Sequence, residues 1–144
     1  MTYVTLAVDT VPPAKDDVPV ERRAVGWNVL SDVTVAPLFV PGDRPDRALK
    51  AAERGARTIV LDLEDAVPPA QKPAARLQAA EALQARDPSV AYLLRVNPVS
   101  TPDLLADDVA AIADVIHLID AIVLPKVESA AEVIRLDELL AALW

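Results

Sequence analysis

The sequence predicts an α/β fold: about four β-α units with parallel strands, preceded by an irregular N-terminal arm. Three observations carry this. Between Leu38 and Glu128 an apolar run rich in β-branched residues ends four times, each time in charged or amide groups. The stretches after those runs place apolar residues at helical rather than alternating spacing. The composition, 53% apolar and 25% charged over 144 residues, is that of a packed globular chain. Strands that alternate with helices imply right-handed crossovers and a parallel sheet covered by helices.

Residues 1–36 form the arm, in which Val4, Leu6 and Val8 alternate, Pro12, Pro13 and Pro19 interrupt, and Val25, Trp27 and Val29 alternate again. One or two short strands are expected there. Residues 37–144 are regular. Leu38 to Val40 reads as a strand turning at Pro41-Gly42, with Asp43 near an N-cap, Pro45 in the first helical turn and Gly55 as the C-terminal cap. Thr58 to Leu63 is the second strand, followed after Pro68-Pro69 by an alanine-rich helix to about Arg86, with Ala70, Ala74, Leu77 and Ala80 on a shared face. Ala91 to Val96 is the third strand. Thr101 and Pro102 then open a helix carrying Leu105, Val109, Ile112 and Ile116. Ala121 to Leu124 is the fourth strand, and Ser129 with Glu132 makes a capping-box pair ahead of the stripe Val133, Leu136, Leu140 and Leu143. A closed barrel of eight such units takes about 250 residues. The expected architecture is therefore a partial TIM barrel, its N-terminal half, with a chain that stops between elements.

Charge and composition exclude several functions. With 14 basic against 22 acidic residues the net charge is −8, which disfavours nucleic acid as a partner. Three glycines, Gly26, Gly42 and Gly55, cannot build a Walker loop or a G-x-G-x-x-G turn. The absence of cysteine removes disulfides and thiolate metal sites together. No segment approaches the ~18 uncharged apolar residues of a membrane span, and Met1 to Thr5 lacks the features of a secretory signal, so a cytoplasmic location is expected.

Chemistry in parallel barrels sits where strands end. Period-two alternation puts Asp62 and Glu64 on one face and Ile59, Leu61 and Leu63 on the other. Clustered acids there suit a divalent cation or acid-base work; the structural alternative is that they cap a helix or pair with Arg or Lys. Arg95 ends an apolar strand, and its guanidinium fork matches a carboxylate, whether that of a substrate or that of Glu64 or Asp65 next door. Lys126, the only lysine at a strand end, has the same two readings. Asp43, Arg44, Arg47 and Lys50 surround the first helix start, where a solvated charged face outweighs phosphate binding. His117, the only histidine, lies among apolar neighbours and reads as a core or rim residue.

Leu38-Phe39-Val40-Pro41-Gly42-Asp43-Arg44-Pro45, Leu61-Asp62-Leu63-Glu64-Asp65-Ala66-Val67, Leu94-Arg95-Val96-Asn97 and Leu124-Pro125-Lys126-Val127-Glu128-Ser129 together resemble the citrate lyase beta-subunit family, the HpcH/HpaI aldolase and CoA-ester lyase group. The resemblance covers about Leu38 to Leu140. It implies an oligomeric TIM-type barrel that cleaves or forms a carbon–carbon bond in a 3-hydroxyacyl-CoA thioester with Mg²⁺. By the same resemblance, Glu64 and Asp65 are the acidic pair beside the metal site and count as catalytic. Arg95 would grip the substrate carboxylate, Lys72 would face the CoA phosphates, and Lys126 is a motif lysine of the substrate site. The family's direct Mg²⁺ ligands fall after the Lys126 motif, beyond the end of this chain, so an isolated chain is expected to be inactive. Val35-Ala36-Pro37 also departs from the arginine-bearing lead-in that the family carries before Leu38.

Two rival functions follow. One is a non-catalytic remnant or interaction subunit that dimerises, or docks on another barrel subunit, through open sheet edges. The other is a barrel of the pyruvate and phosphoenolpyruvate type that acts on free acids.

Overall fold

The computed structural model describes residues 3–7 and 36–143. Four parallel strands alternate with helices: β2 (Leu38–Pro41), α1 (Pro45–Glu53), β3 (Thr58–Asp62), α2 (Lys72–Gln84), β4 (Ala91–Arg95), α3 (Pro102–Ile112), β5 (Ala121–Pro125) and α4 (Ala130–Ala141). A fifth strand, β1 (Tyr3–Ala7), comes from the arm and closes the order β1-β5-β4-β3-β2. The sheet is open, as a partial barrel requires. β1 runs antiparallel on β5, pairing Tyr3 with Pro125 and Ala7 with Ala121. The expected arm strand at Val4 and Leu6 is thus present, while Val25, Trp27 and Val29 lie outside the described residues.

β3 to β5 read as almost continuous apolar runs because both of their faces are covered. Ile59, Leu61, Leu94, Ile122 and Leu124 point to the helices and join Leu83, Leu105, Ile112 and Leu136 in the main core. Val60, Leu93, Ala121 and Val123 form a second cluster on the opposite face. Asp62 and Arg95 follow Val60 and Leu93 by two residues, so they share that second face at the strand ends.

Gly55 (φ 91°) stops α1: its N–H donates to Ala52 O (2.9 Å), and Ala56 N donates to Ala51 O (3.0 Å), the paired bonds of a Schellman ending. Asp43 does not cap α1. The cap position is Arg44, whose side chain instead bonds Asp46 (3.1 Å), and Pro45 at the first helical position removes one of the N–H groups a cap would serve. Thr101 precedes α3 as expected, but its hydroxyl donates to Pro98 O (3.0 Å) rather than accepting from the helix. At α4, Glu132 reaches back to accept from Ser129 N (3.1 Å) and Glu128 N (2.6 Å).

The α2 face differs from the expected one. A short 3₁₀ turn, Pro69–Gln71, precedes it, Leu77 is 68% exposed, and Lys72, Ala75, Arg76, Ala79, Ala82 and Leu83 turn inward. Alanine occurs all round this helix, so apolarity alone hardly distinguishes its faces. The buried side is decided by two cations that find partners inside. On α3, Leu105, Val109 and Ile112 are buried as expected, and Ile116 is buried on a 3₁₀ extension, Ala113–Leu118. His117 on that extension is exposed. Of the α4 stripe only Leu136 is fully buried, with Leu140 and Leu143 packed against the core in part. No helix among the described residues is long and apolar enough to cross a membrane.

Candidate active site at the strand ends

The parallel register sets Asp62 beside Arg95. Arg95 donates from Nε to Asp62 Oδ1 (2.8 Å) and from Nη2 to Oδ2 (2.5 Å), the two-pronged geometry that suits a guanidinium. Its Nη1 lies 3.1 Å from Glu64 Oε2. Arg95, Asp62 and Glu64 are all buried, and the exposed ring of Phe39 lies 5.0 Å from the guanidinium carbon. The neighbour of Arg95 is therefore Asp62 with Glu64, not Asp65. Asp62 also accepts from Glu64 N (2.8 Å) and Ala66 N (3.2 Å), so it ties down the loop that follows β3.

Lys126, the first residue after β5, completes the cluster. Its Nζ is 2.5 Å from Glu64 Oε1 and donates to Asp65 Oδ1 at 3.0 Å. Glu64 thus stands between two cations at ion-pair distance, Arg95 on one carboxylate oxygen and Lys126 on the other. Lys126 also has φ 55°, a left-handed conformation that costs a side-chain-bearing residue and concentrates at functional sites. The pairing with Glu64 and Asp65 raises the Lys126 amine above its ordinary value of 10.5, and the bond from Lys126 holds the Asp65 carboxyl below 3.8. The Asp62–Arg95–Glu64–Lys126–Asp65 chain of charges spans the ends of β3, β4 and β5.

Lys72 lies under the same loop. It is buried at the start of α2, donating to Leu63 O (2.7 Å) and Glu64 O (3.0 Å), and burial lowers its amine below 10.5. Its ammonium braces the backbone that carries the acidic pair. A cavity of about 380 Å³ opens here, lined in part by Glu64, Asp65, Lys72, Asn97, Thr101 and Lys126. Asp43, Arg44, Arg47 and Lys50 lie apart on α1 and its approach, where Asp46 pairs with Arg44 (3.1 Å) and Lys50 (3.7 Å) in solvent.

Sequence reasoning missed Arg76 and Asp108, and it gave Asn97, quoted at the end of its strand motif, no role of its own. Asp108, fully buried, accepts from Arg76 Nε (2.8 Å), Asn97 N (2.7 Å) and Asn97 Nδ2 (2.7 Å). The signal was a carboxylate at the inward position between Leu105 and Ile112, since a buried charge demands a partner.

Among the described residues no group of three or more His, Cys, Asp or Glu side chains is arranged to hold a metal ion. The three carboxylates of this cluster, Asp62, Glu64 and Asp65, already face Arg95 and Lys126. A directly held Mg²⁺ does not fit these residues by themselves.

Comparison with known proteins bears on the same region. A family model described as HpcH/HpaI aldolase/citrate lyase matches residues 36–143. The L-malyl-CoA/beta-methylmalyl-CoA lyase of Rhodobacter capsulatus is 42% identical over 107 residues, 74% of this chain and 34% of that protein. The citrate lyase subunit beta-like protein of Mycobacterium tuberculosis is 46% identical over 101 residues, 69% of this chain and 34% of that protein. The solved citrate lyase beta subunit of Mycobacterium tuberculosis superposes with a TM-score of 0.59 at 37% identity, covering 74% of this chain and 45% of the other. CitE of the same organism, solved with magnesium, acetoacetate and coenzyme A, gives 0.56 at 40% identity, covering 69% and 35%. The chain spans about a third of the length of the curated relatives it matches.

Proposed function

Because the chain belongs to the HpcH/HpaI aldolase/citrate lyase family, we propose that it supplies the carboxylate-binding and acidic corner of a carbon–carbon lyase acting on a 3-hydroxyacyl-CoA thioester, of the citrate lyase beta or malyl-CoA lyase type. The observation that carries this reading is the buried Arg95, fixed at a strand end by Asp62 and facing Glu64 and the Phe39 ring. A preorganised guanidinium binds a carboxylate without first having to be ordered. A substrate carboxylate would compete with Glu64 for Arg95 Nη1, which leaves Glu64 to Lys126. Glu64, Asp65 and Lys126 then hold protons and charge beside the reacting group. When bound, Mg²⁺ would polarise the acid oxygens of the substrate. Its ligands must include groups other than the paired carboxylates of this corner.

The test is cleavage of malyl-CoA and citryl-CoA with Mg²⁺, by the chain alone and by the chain mixed with the C-terminal half of a relative. Cleavage that disappears with Arg95→Met supports the proposal. No cleavage of either thioester in either setting removes it.

An interaction subunit is the second reading. It is supported by the edge strand β2, where Leu38 is 47% and Phe39 45% exposed. A light-scattering mass of one chain together with cooperative melting would count against it.

A further inference from the structure

We propose that the buried Arg76–Asp108–Asn97 relay is a positioning device that sets the Glu64–Asp65 loop against Lys126, a role that stands whether or not the lyase reading does. The relay crosses three elements. Arg76 on α2 donates from Nε to Asp108 Oδ1 (2.8 Å) and from Nη2 to Leu104 O (3.2 Å), and its Nη1 meets Asp107 Oδ2 (3.1 Å). The other Asp108 oxygen takes both the backbone N–H and the side-chain amide of Asn97, just past β4, each at 2.7 Å. The same Asn97 Nδ2 then reaches Leu63 O at 3.1 Å.

That carbonyl is where the relay meets the site. Leu63 O also accepts from Lys72 Nζ (2.7 Å), and Leu63 N donates to Arg95 O (2.9 Å), so the residue just ahead of Glu64 is held at both its N–H and its C=O. Asp108 is 0% exposed and Asn97 3%. Two helices would pack without a buried charge between them, and replacing such a pair by apolar groups is often neutral. What a buried carboxylate adds is direction: it fixes the Asn97 amide with its N–H₂ toward Leu63, because an acceptor in that position would face the Leu63 carbonyl. Glu64 and Asp65 then leave the strand on the side where Lys126 waits.

The experiment follows the Lys126 amine by NMR titration of its ε-methylene signal in the intact chain, together with the Glu64 and Asp65 amide shifts. Asn97→Ala removes the amide but leaves Asp108 its bonds to Arg76 and to the backbone at 97. It should lower the Lys126 midpoint toward that of an unpaired lysine and move the Glu64 and Asp65 amides, with Tyr92 as the unmoved reference. Asp108→Asn should do the same. Asp107→Asn removes one unit of charge from the same arginine at an exposed position without touching Asn97, and should leave Lys126 unchanged. The proposal is overturned if Asn97→Ala lowers the melting temperature with Lys126 and the loop amides unmoved, which marks the relay as packing only. It is equally overturned if Asp107→Asn shifts Lys126 as far as Asp108→Asn does, which marks a general charge effect. Should Asp108→Asn fail to fold, Asn97→Ala alone decides.

Discussion

Asp62→Asn is nearly isosteric, yet it should be among the most damaging single changes in this chain. Each Asp62 oxygen receives two donors: Oδ1 from Glu64 N (2.8 Å) and Arg95 Nε (2.8 Å), Oδ2 from Ala66 N (3.2 Å) and Arg95 Nη2 (2.5 Å). An asparagine has one oxygen, so either orientation of its amide sets an NH₂ group against two N–H donors. The residue is 1% exposed, and water cannot relieve the clash. Breaking a buried pair from one side costs about 3–5 kcal/mol. At roughly 4 °C per kcal/mol for a chain of this size, the melting temperature should fall by about 12–20 °C. Arg95→Met should cost less, because Asp62 keeps its two backbone donors and Glu64 keeps Lys126. The double variant should cost less than the sum. Removing the guanidinium takes away half of the donor-against-donor repulsion that Asp62→Asn creates, and the coupling should exceed ~1 kcal/mol. Urea unfolding of the four proteins, followed by circular dichroism, measures all of this. An Asp62→Asn loss under ~1 kcal/mol, or single effects that add within ~0.5 kcal/mol, would refute the account of Arg95 as held chiefly by Asp62.

Three further outcomes are expected. Lys126→Gly should melt a few degrees above Lys126→Ala, because both lose the ion pairs but only glycine is at ease at φ 55°; thermal melts of the two variants check it. The stability difference between wild type and Lys126→Met should depend on pH at both ends. Asp65 is depressed in the folded state, so its share is present above 3.8 and fades as pH falls through the lower folded value. Lys126 is raised, so its share is present below 10.5 and fades as pH rises through the higher folded value. Urea midpoints for both proteins across the pH range should give a plateau with two shoulders, and a difference that grows in acid would contradict it. Gly42→Ala would bring a Cβ to 2.8 Å from Leu63 Cδ2 and 3.1 Å from Asp62 O, where Gly42 N already bonds that carbonyl. A loss of about 1–3 kcal/mol, read from urea unfolding, is expected, with Leu63 displaced beside the acidic loop.

Much of this architecture is legible in the residues because strands and helices differ in period. The runs ending at Pro41, Asp62, Arg95 and Pro125 are strands, and alternation correctly put Asp62 with Glu64 on one side and Leu61 with Leu63 on the other. What was not legible depended on partners distant in sequence. Alanine on all sides of α2 hid its inner face until Arg76 met Asp108, 32 residues away. Asp62 as the direct mate of Arg95 needs the strand register, which periodicity alone does not supply. The bonds of Lys72 to the Leu63 and Glu64 carbonyls, nine and eight residues back along the chain, likewise depend on how the 3₁₀ turn at Pro69–Gln71 folds α2 against the loop after β3. The first strand was foreseeable at Val4 and Leu6, but its seat on β5, and its reversed direction there, were not.

A strand margin offers one row of N–H and C=O groups and can satisfy one neighbour at a time. With residues 3–7 lying along Ala121 to Pro125, that row is taken by a segment running the wrong way for a barrel to continue through it. Extending the sheet past β5 in parallel therefore requires eviction of this tenant first, so growth of the barrel and retention of the N-terminal segment are alternatives in direct competition.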